Sequence, residues 1–166
     1  MAGRNLSLIN ELKNGYVQWT IKVRVFKFWE GAKNGVPTGL DYIFVDEKGN
    51  RIHGMVLKSN KCKFNGILEE QKIYILTNIS VFKPELKYRP TRHDFMAVLN
   101  ANTAVQEVTE LSDFPRYSFD FIKLNTLAQH NNNDFLNDVI GIFIGSSEVQ
   151  TVRNNKIIQI WLQDET

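Results

Sequence analysis

Two short stretches carry side chains suited to one kind of chemistry. In the first, Lys27 is followed by Phe28 and Trp29, with Lys33 four residues beyond the tryptophan. In the second, Lys83, Lys87, Arg89, Arg92 and His93 crowd around Tyr88, and Glu85 is the one acid before Asp94. A flat ring can stack on a base and a neighbouring cation can hold a phosphate, which together are what a single nucleic-acid strand requires. Lysine is a point charge without the guanidinium fork, so Lys27 and Lys33 suit phosphate contact better than base readout. Each cluster also has a plainer reading: Trp29 as a core plug, and residues 83–93 as a solvated basic hairpin with a surface tyrosine.

Other chemistries find little support. His53, His93 and His130 are far apart with no ligand spacing, and no Walker loop, GxSxG or HExxH occurs. Asp46 and Glu47 are adjacent, but a hairpin turn favours such residues in any case. The single cysteine, Cys62, excludes an internal disulfide framework and a Cys-rich zinc site. Between Lys61 and Lys63 it has the setting of an activated thiolate, and an inert structural cysteine is the plainer reading. The expectation is a binding protein with no catalysis, cofactor or metal.

The 166 residues suffice for one ordinary domain or two small ones, and 43% apolar with 23% charged residues is a globular composition. No stretch approaches 18 apolar residues, so no membrane-spanning helix is expected, and the first residues lack the apolar core of a signal peptide. A single cysteine fits a reducing, intracellular compartment. The net charge of +2 hides a split: residues 1–100 hold 16 Lys/Arg against 9 Asp/Glu, and residues 101–166 hold 4 against 9. A basic first part suggests an anionic partner, nucleic acid being the commonest.

Those clusters need a frame. From Trp19 the chain alternates, with Trp19, Ile21, Val23 and Val25 on one face and Thr20, Lys22, Arg24 and Phe26 on the other, the period of a half-buried strand. Parity makes Trp19 a core residue. Glu30–Gly39, with three glycines and a proline, predicts a loop. Leu40–Val45 and Ile52–Leu57 predict the second and third strands, joined by a tight turn at residues 46–50 in which Gly49 suits positive φ. Asn60–Glu70 predicts a short helix, Lys72–Phe82 a fourth strand, and Tyr88–Leu99 contains a fifth. Three strands, a helix and two strands make an all-β domain with a minor helix, matching a five-stranded OB-fold barrel. The domain is expected over residues 1–105, with a linker over 106–118.

After the linker the chain starts again. Val139–Gly145 and Lys156–Leu162 predict strands, and a weak repeat is visible: Phe26 precedes Asp46 by 20 residues and Phe143 precedes Asp164 by 21. Residues 119–166 are therefore expected to be the truncated start of a second OB-like unit, with an unpaired strand edge.

These residues together resemble a known family. Trp19-Thr20-Ile21-Lys22-Val23-Arg24-Val25, Phe28-Trp29, Val45-Asp46-Glu47-Lys48-Gly49 with Ile52, Tyr74, and Tyr88-Arg89-Pro90-Thr91-Arg92-His93 resemble the first central DNA-binding OB domain of the replication protein A large subunit, as found in the expanded plant set of replication protein A-like proteins. Phe119-Asp120-Phe121, Asp138–Gly141 and Thr151–Asn155 resemble the start of the next OB domain in that subunit. The resemblance implies single-stranded DNA binding with little sequence specificity, in replication, repair or recombination, in the nucleus. It implies contacts from Lys27, Trp29, Lys33, Lys87, Tyr88, Arg89 and Arg92, with Tyr88 at an aromatic stacking position. Two positions depart from the family: Leu57 stands where a second stacking aromatic is usual, and His53 where an arginine is usual. Phe82 aligns near a basic position of the family and could be core. RNA binding cannot be separated from DNA binding in the sequence. The competing expectation is a protein-interaction OB module that has lost strand binding, meeting replication protein A-type subunits through the acidic C-terminal part.

Overall fold

The structure is a computed structural model and describes residues 5–33, 35–85, 87–109, 113–130, 134–153 and 155–164, with Tyr16, Val17 and Lys33 described by backbone alone. The chain divides into two compact units, Met1–Ser118 and Phe119–Thr166. Among the described residues no helix is long and apolar enough to cross a membrane.

The first unit is built on β1 (Gly15–Lys33), β2 (Val36–Val45), β3 (Arg51–Leu57), the helical turn α1 (Lys61–Phe64), β4 (Ile73–Phe82), β5 (Met96–Leu99) and β6 (Ala104–Val108). The alternation read from Trp19 onward makes β1, and Ile21, Val23 and Val25 are fully buried on its inner face. β1 pairs with β4 along its first half and with β2 along its second. β2 pairs with β3, β3 runs parallel to β5, and β5 pairs with β4. Five strands therefore close on themselves in the order β1-β2-β3-β5-β4, and a helical turn lies between β3 and β4. This is the OB-like arrangement the element order predicts. Phe64 of α1 and Leu68 behind it are buried with Leu40, Tyr42, Phe44, Ile52, Val56, Leu76 and Val81, and Trp19 packs against this core. Burial pushes the Tyr42 hydroxyl up to about 12.

Asp46 organises the turn into β3. It is buried and accepts hydrogen bonds from the amides of Lys48 and Asn50, and Gly49 takes φ 81° as expected. Its other oxygen accepts the amide of Ile9 at 2.8 Å and ties the N-terminal segment to the ring.

Three expectations need correction. The Glu30–Gly39 stretch is not a loop: β1 runs on to Lys33 and β2 begins at Val36. Gly35 takes φ 77° in the turn, and Gly31 and Gly39 serve close approach. A Cβ on Gly39 would fall on the Val56 carbonyl of the neighbouring strand. The strands do not end at five: β5 falls within Tyr88–Leu99 as expected, but a turn at Asn100–Thr103 then leads into a sixth, β6, which pairs with the first half of β4. Residues 106–118 are consequently not a linker, because Gln106–Val108 complete β6 and Phe114 and Pro115 close over Arg24; Glu110 and Ser112 lie outside the described residues. Arg24 is fully buried although its parity faces outward. Its guanidinium donates to the carbonyls of Gln71, Phe114 and Pro115 and lies over the Phe114 ring, 5.6 Å from the centroid.

The second unit contains β7 (Ile142–Ser146), β8 (Gln150–Val152), β9 (Asn155–Ile157) and β10 (Ile160–Gln163). Its contacts repeat those that open the first unit. β1 is bulged between Val25, opposite Phe44, and Lys27, opposite Ile43. β7 has Phe143 opposite Leu162 and Gly145 opposite Trp161, each 118 residues further on. The Ser7 amide donates to the Thr20 carbonyl, and the Ile122 amide donates to that of Asp138. Asp46 accepts the Ile9 amide, and Asp164 accepts the Leu124 amide at 3.0 Å. The sequence reading set Phe26 against Phe143; the register instead sets Val25 against Phe143. β7 pairs with β10 and β8 with β9, and Ile142, Phe143, Ile144, Ile160 and Trp161 are exposed.

Candidate nucleic-acid interface

Strand register decides which side chains share the outer face of the ring, because directly opposed residues point the same way. Trp29, Asp41, Met55 and Val98 lie in one row across β1, β2, β3 and β5. Lys27, Ile43, His53, Met96 and Phe82 make the next row, which reaches β4. On the other side of the tryptophan row lie Gly31, Gly39 and Leu57. Two residues of that last row lack side chains, and Leu57 is its exposed member.

The loops bracket this face. β1, β3 and β5 run one way and β2 and β4 the other, so the hairpin joining β1 to β2 lies at one end of the strands. The segment 83–95, which joins β4 to β5, lies at the opposite end. Lys33 therefore belongs to the hairpin end of this surface, and Lys27, in the row of Phe82, to the end that carries Lys83–His93. An extended strand laid across it would meet both.

Burial then sorts the predicted residues. Trp29 is 37% exposed, Leu57 49% and Tyr88 53%, so none of the three is a core plug. Lys27, Lys87 and Arg92 are exposed and Arg89 is half-buried. The side chain of Lys33 lies outside what is described. Lys27 stands 3.6 Å from Glu70, which also accepts the Phe28 amide. An exposed ion pair of this kind is worth at most about 1 kcal/mol, so a phosphate can replace the carboxylate at small cost. Phe82, which the sequence left between core and surface, stands on the outer face at 38% exposure. Tyr88 takes φ 59°, in the left-handed region that bulky residues rarely adopt.

His53 needs correction as a contact residue. It is 5% exposed, and the Trp29 indole is stacked beside it in an offset arrangement, with ring centroids 6.0 Å apart and planes 8° from parallel. Its Nε2 lies 2.8 Å from Asp41 Oδ1. The ring can act on a ligand only through Trp29. His93 is structural as well: its Nε2 donates to the Ile9 carbonyl at 3.0 Å and its Nδ1 accepts the Phe95 amide, which fixes the loop. Sequence reasoning missed Asp41. The available signal was an acid of outward parity in a strand, one row away from a histidine on the paired strand, where an apolar or neutral residue would have raised no question.

Comparison with known proteins follows the same line. A family model described as "Domain of unknown function DUF223" matches residues 10–124. A replication protein A 70 kDa DNA-binding subunit from Arabidopsis thaliana is 28% identical over 160 residues, covering 89% of this chain and 26% of that protein. The Saccharomyces cerevisiae replication factor A protein 1 is 28% identical over 144 residues, covering 84% of this chain and 23% of that protein. The chain thus spans about a quarter of the length of these curated relatives. Among solved structures, a replication protein A heterotrimer bound to single-stranded DNA superposes with a TM-score of 0.59 at 19% identity, over 96% of this chain and 39% of that one.

Proposed function

We infer that this chain, which belongs to the DUF223 family and is an OB protein of the replication protein A large-subunit kind, binds single-stranded DNA with little sequence preference. The observation that carries this reading is the outer face of the ring: Trp29 and Leu57 are exposed in adjacent rows, Lys27 is exposed in the row beyond Trp29, and the cationic segment 83–93 follows at that end. Lys27, Lys87, Arg89 and Arg92 follow the phosphates, Trp29 and Tyr88 stack on bases, and Leu57 covers a base face without a π system. Lys33 is assigned to the phosphates from the sequence alone. The protein acts by binding, without a chemical step, in nuclear replication, repair or recombination, and RNA is a possible second ligand. The repeated contacts of residues 119–166 support reading them as the opening of a second OB-like unit.

The test is fluorescence anisotropy with labelled oligo-dT of about 20–30 nucleotides at two salt concentrations, with duplex and RNA as competitors. Expected is binding that weakens as salt rises, with duplex a poor competitor. No binding at low salt would overturn the reading. It would favour the interaction module instead, for which the exposed apolar strands β7 and β10 are the supporting observation, with replication protein A-type subunits as partners.

A further inference from the structure

On the outer face a histidine and an acid are spent on something other than the ligand. His53 is buried, Asp41 is mostly so, and neither ring edge nor carboxylate is turned to solvent. The Asp41 carboxylate can only accept, so His53 Nε2 carries the shared hydrogen. His53 Nδ1 is buried without a partner among the described residues. The imidazole is therefore fixed by two contacts, the Asp41 carboxylate at its edge and the Trp29 indole against its face. Asp41 is held in turn from the next row. Its carboxylate occupies the space where a side chain on Gly31 would stand, with Thr38 beside it. Trp29 thus rests on a support that runs from Gly31 through Asp41 to His53, and one face of the indole is already taken.

We propose that Asp41 and His53 are positioning residues that hold the Trp29 indole as a preset platform for one base of a single strand, stacked on the face that His53 leaves free. This rests on the strand-binding reading above. A surface tryptophan free to turn about two bonds must be ordered when a base stacks on it, and that ordering weakens binding. A tryptophan already stacked against a fixed imidazole has lost that freedom before the ligand arrives. The arrangement also explains a histidine at this depth: its ring is buried away from the phosphates, and its contribution passes through the indole.

A double-mutant cycle on the full chain tests this, with labelled oligo-dT as the probe. Trp29→Ala is expected to weaken binding about tenfold. His53→Gln keeps a donor for Asp41 but removes the flat ring, and is expected to weaken binding about threefold to fivefold in the unaltered chain. In the Trp29→Ala background the same change is expected to cost less than about 1.5-fold, because the residue it acts through is gone. Asp41→Asn, which retains the shape, is the second variant and is expected to follow the same pattern. Equal losses in both backgrounds would overturn the proposal, since a direct contact or a general weakening of the fold adds independently of Trp29. A loss on Trp29→Ala with none on His53→Gln or Asp41→Asn would overturn it and leave the strand-binding reading standing. Absence of binding by the unaltered chain would overturn both.

Discussion

Tyr88 is half exposed and sits at φ 59°, a conformation that costs a non-glycine residue about 1–2 kcal/mol. Nothing in the core asks for a ring there, which points to a use at the surface. Tyr88→Ala keeps the backbone requirement and removes only the ring, so its melting temperature should stay near that of the unaltered chain. Single-strand affinity should fall about tenfold, as for one lost stacked base. An unchanged dissociation constant by anisotropy would remove Tyr88 from the interface. At this scale the sequence was informative about type and poor about depth. Lys27, Trp29 and the Lys83–His93 cluster could be singled out because cations beside rings are a local pattern. The roles of His53 and Arg24 could not, because what covers them comes from elsewhere: an indole on β1, two strands away, for one, and carbonyls some ninety residues away for the other.

Arg24 belongs to the element scale because it joins β1 to the segment of Phe114 and Pro115, whose end is also tied to the ring by Arg51 and Gly49 through Ser118. Its guanidinium satisfies the carbonyls of Gln71, Phe114 and Pro115, and Phe114 packs across it. Arg24→Met keeps most of the buried stem but leaves three carbonyls short of a donor. The expected loss of stability is about 2–4 kcal/mol by urea unfolding, with faster proteolysis in residues 109–118. A change of less than about 0.5 kcal/mol would mean that the segment holds by other contacts. The same clamp shows why residues 106–118 read as a linker: few large apolar side chains occur there, and the anchor is polar and distant in sequence. The Glu30–Gly39 stretch misled for the opposite reason. Glycines that usually mark loops are here placed opposite one another in a hairpin, where absent side chains let Asp41 and the Val56 carbonyl approach. The strand Leu40–Phe44 was legible because its burial follows parity: Leu40, Tyr42 and Phe44 are buried, and Asp41 and Ile43 between them are only partly so.

At the scale of the whole molecule the repeat between the two units decides what each contributes. Through the hairpin strands an offset of 118 residues carries Val25 to Phe143, Lys27 to Gly145 and Asp46 to Asp164. The repeat was visible in the sequence, but aligned one residue out, because a bulge in each strand breaks the parity on which a pattern match depends. Correct register changes the functional expectation. The Ser147 amide donates to the Gln159 carbonyl where the first unit has Trp29 opposite Asp41, so the second hairpin has serine for the tryptophan and glycine for the lysine. It lacks both the platform and the cation beside it. A chain ending at Ser118, which keeps the Arg24 clamp, should therefore bind a strand of about 8–10 nucleotides within roughly twofold to threefold of the full chain. It should also be the more soluble species, since Ile142, Phe143, Ile144, Ile160 and Trp161 leave with the second unit. Anisotropy at matched salt, with circular dichroism to confirm the fold, measures this. A tenfold or greater loss in a folded first unit would place part of the strand on residues 119–166, through side chains other than those the repeat aligns with Lys27 and Trp29.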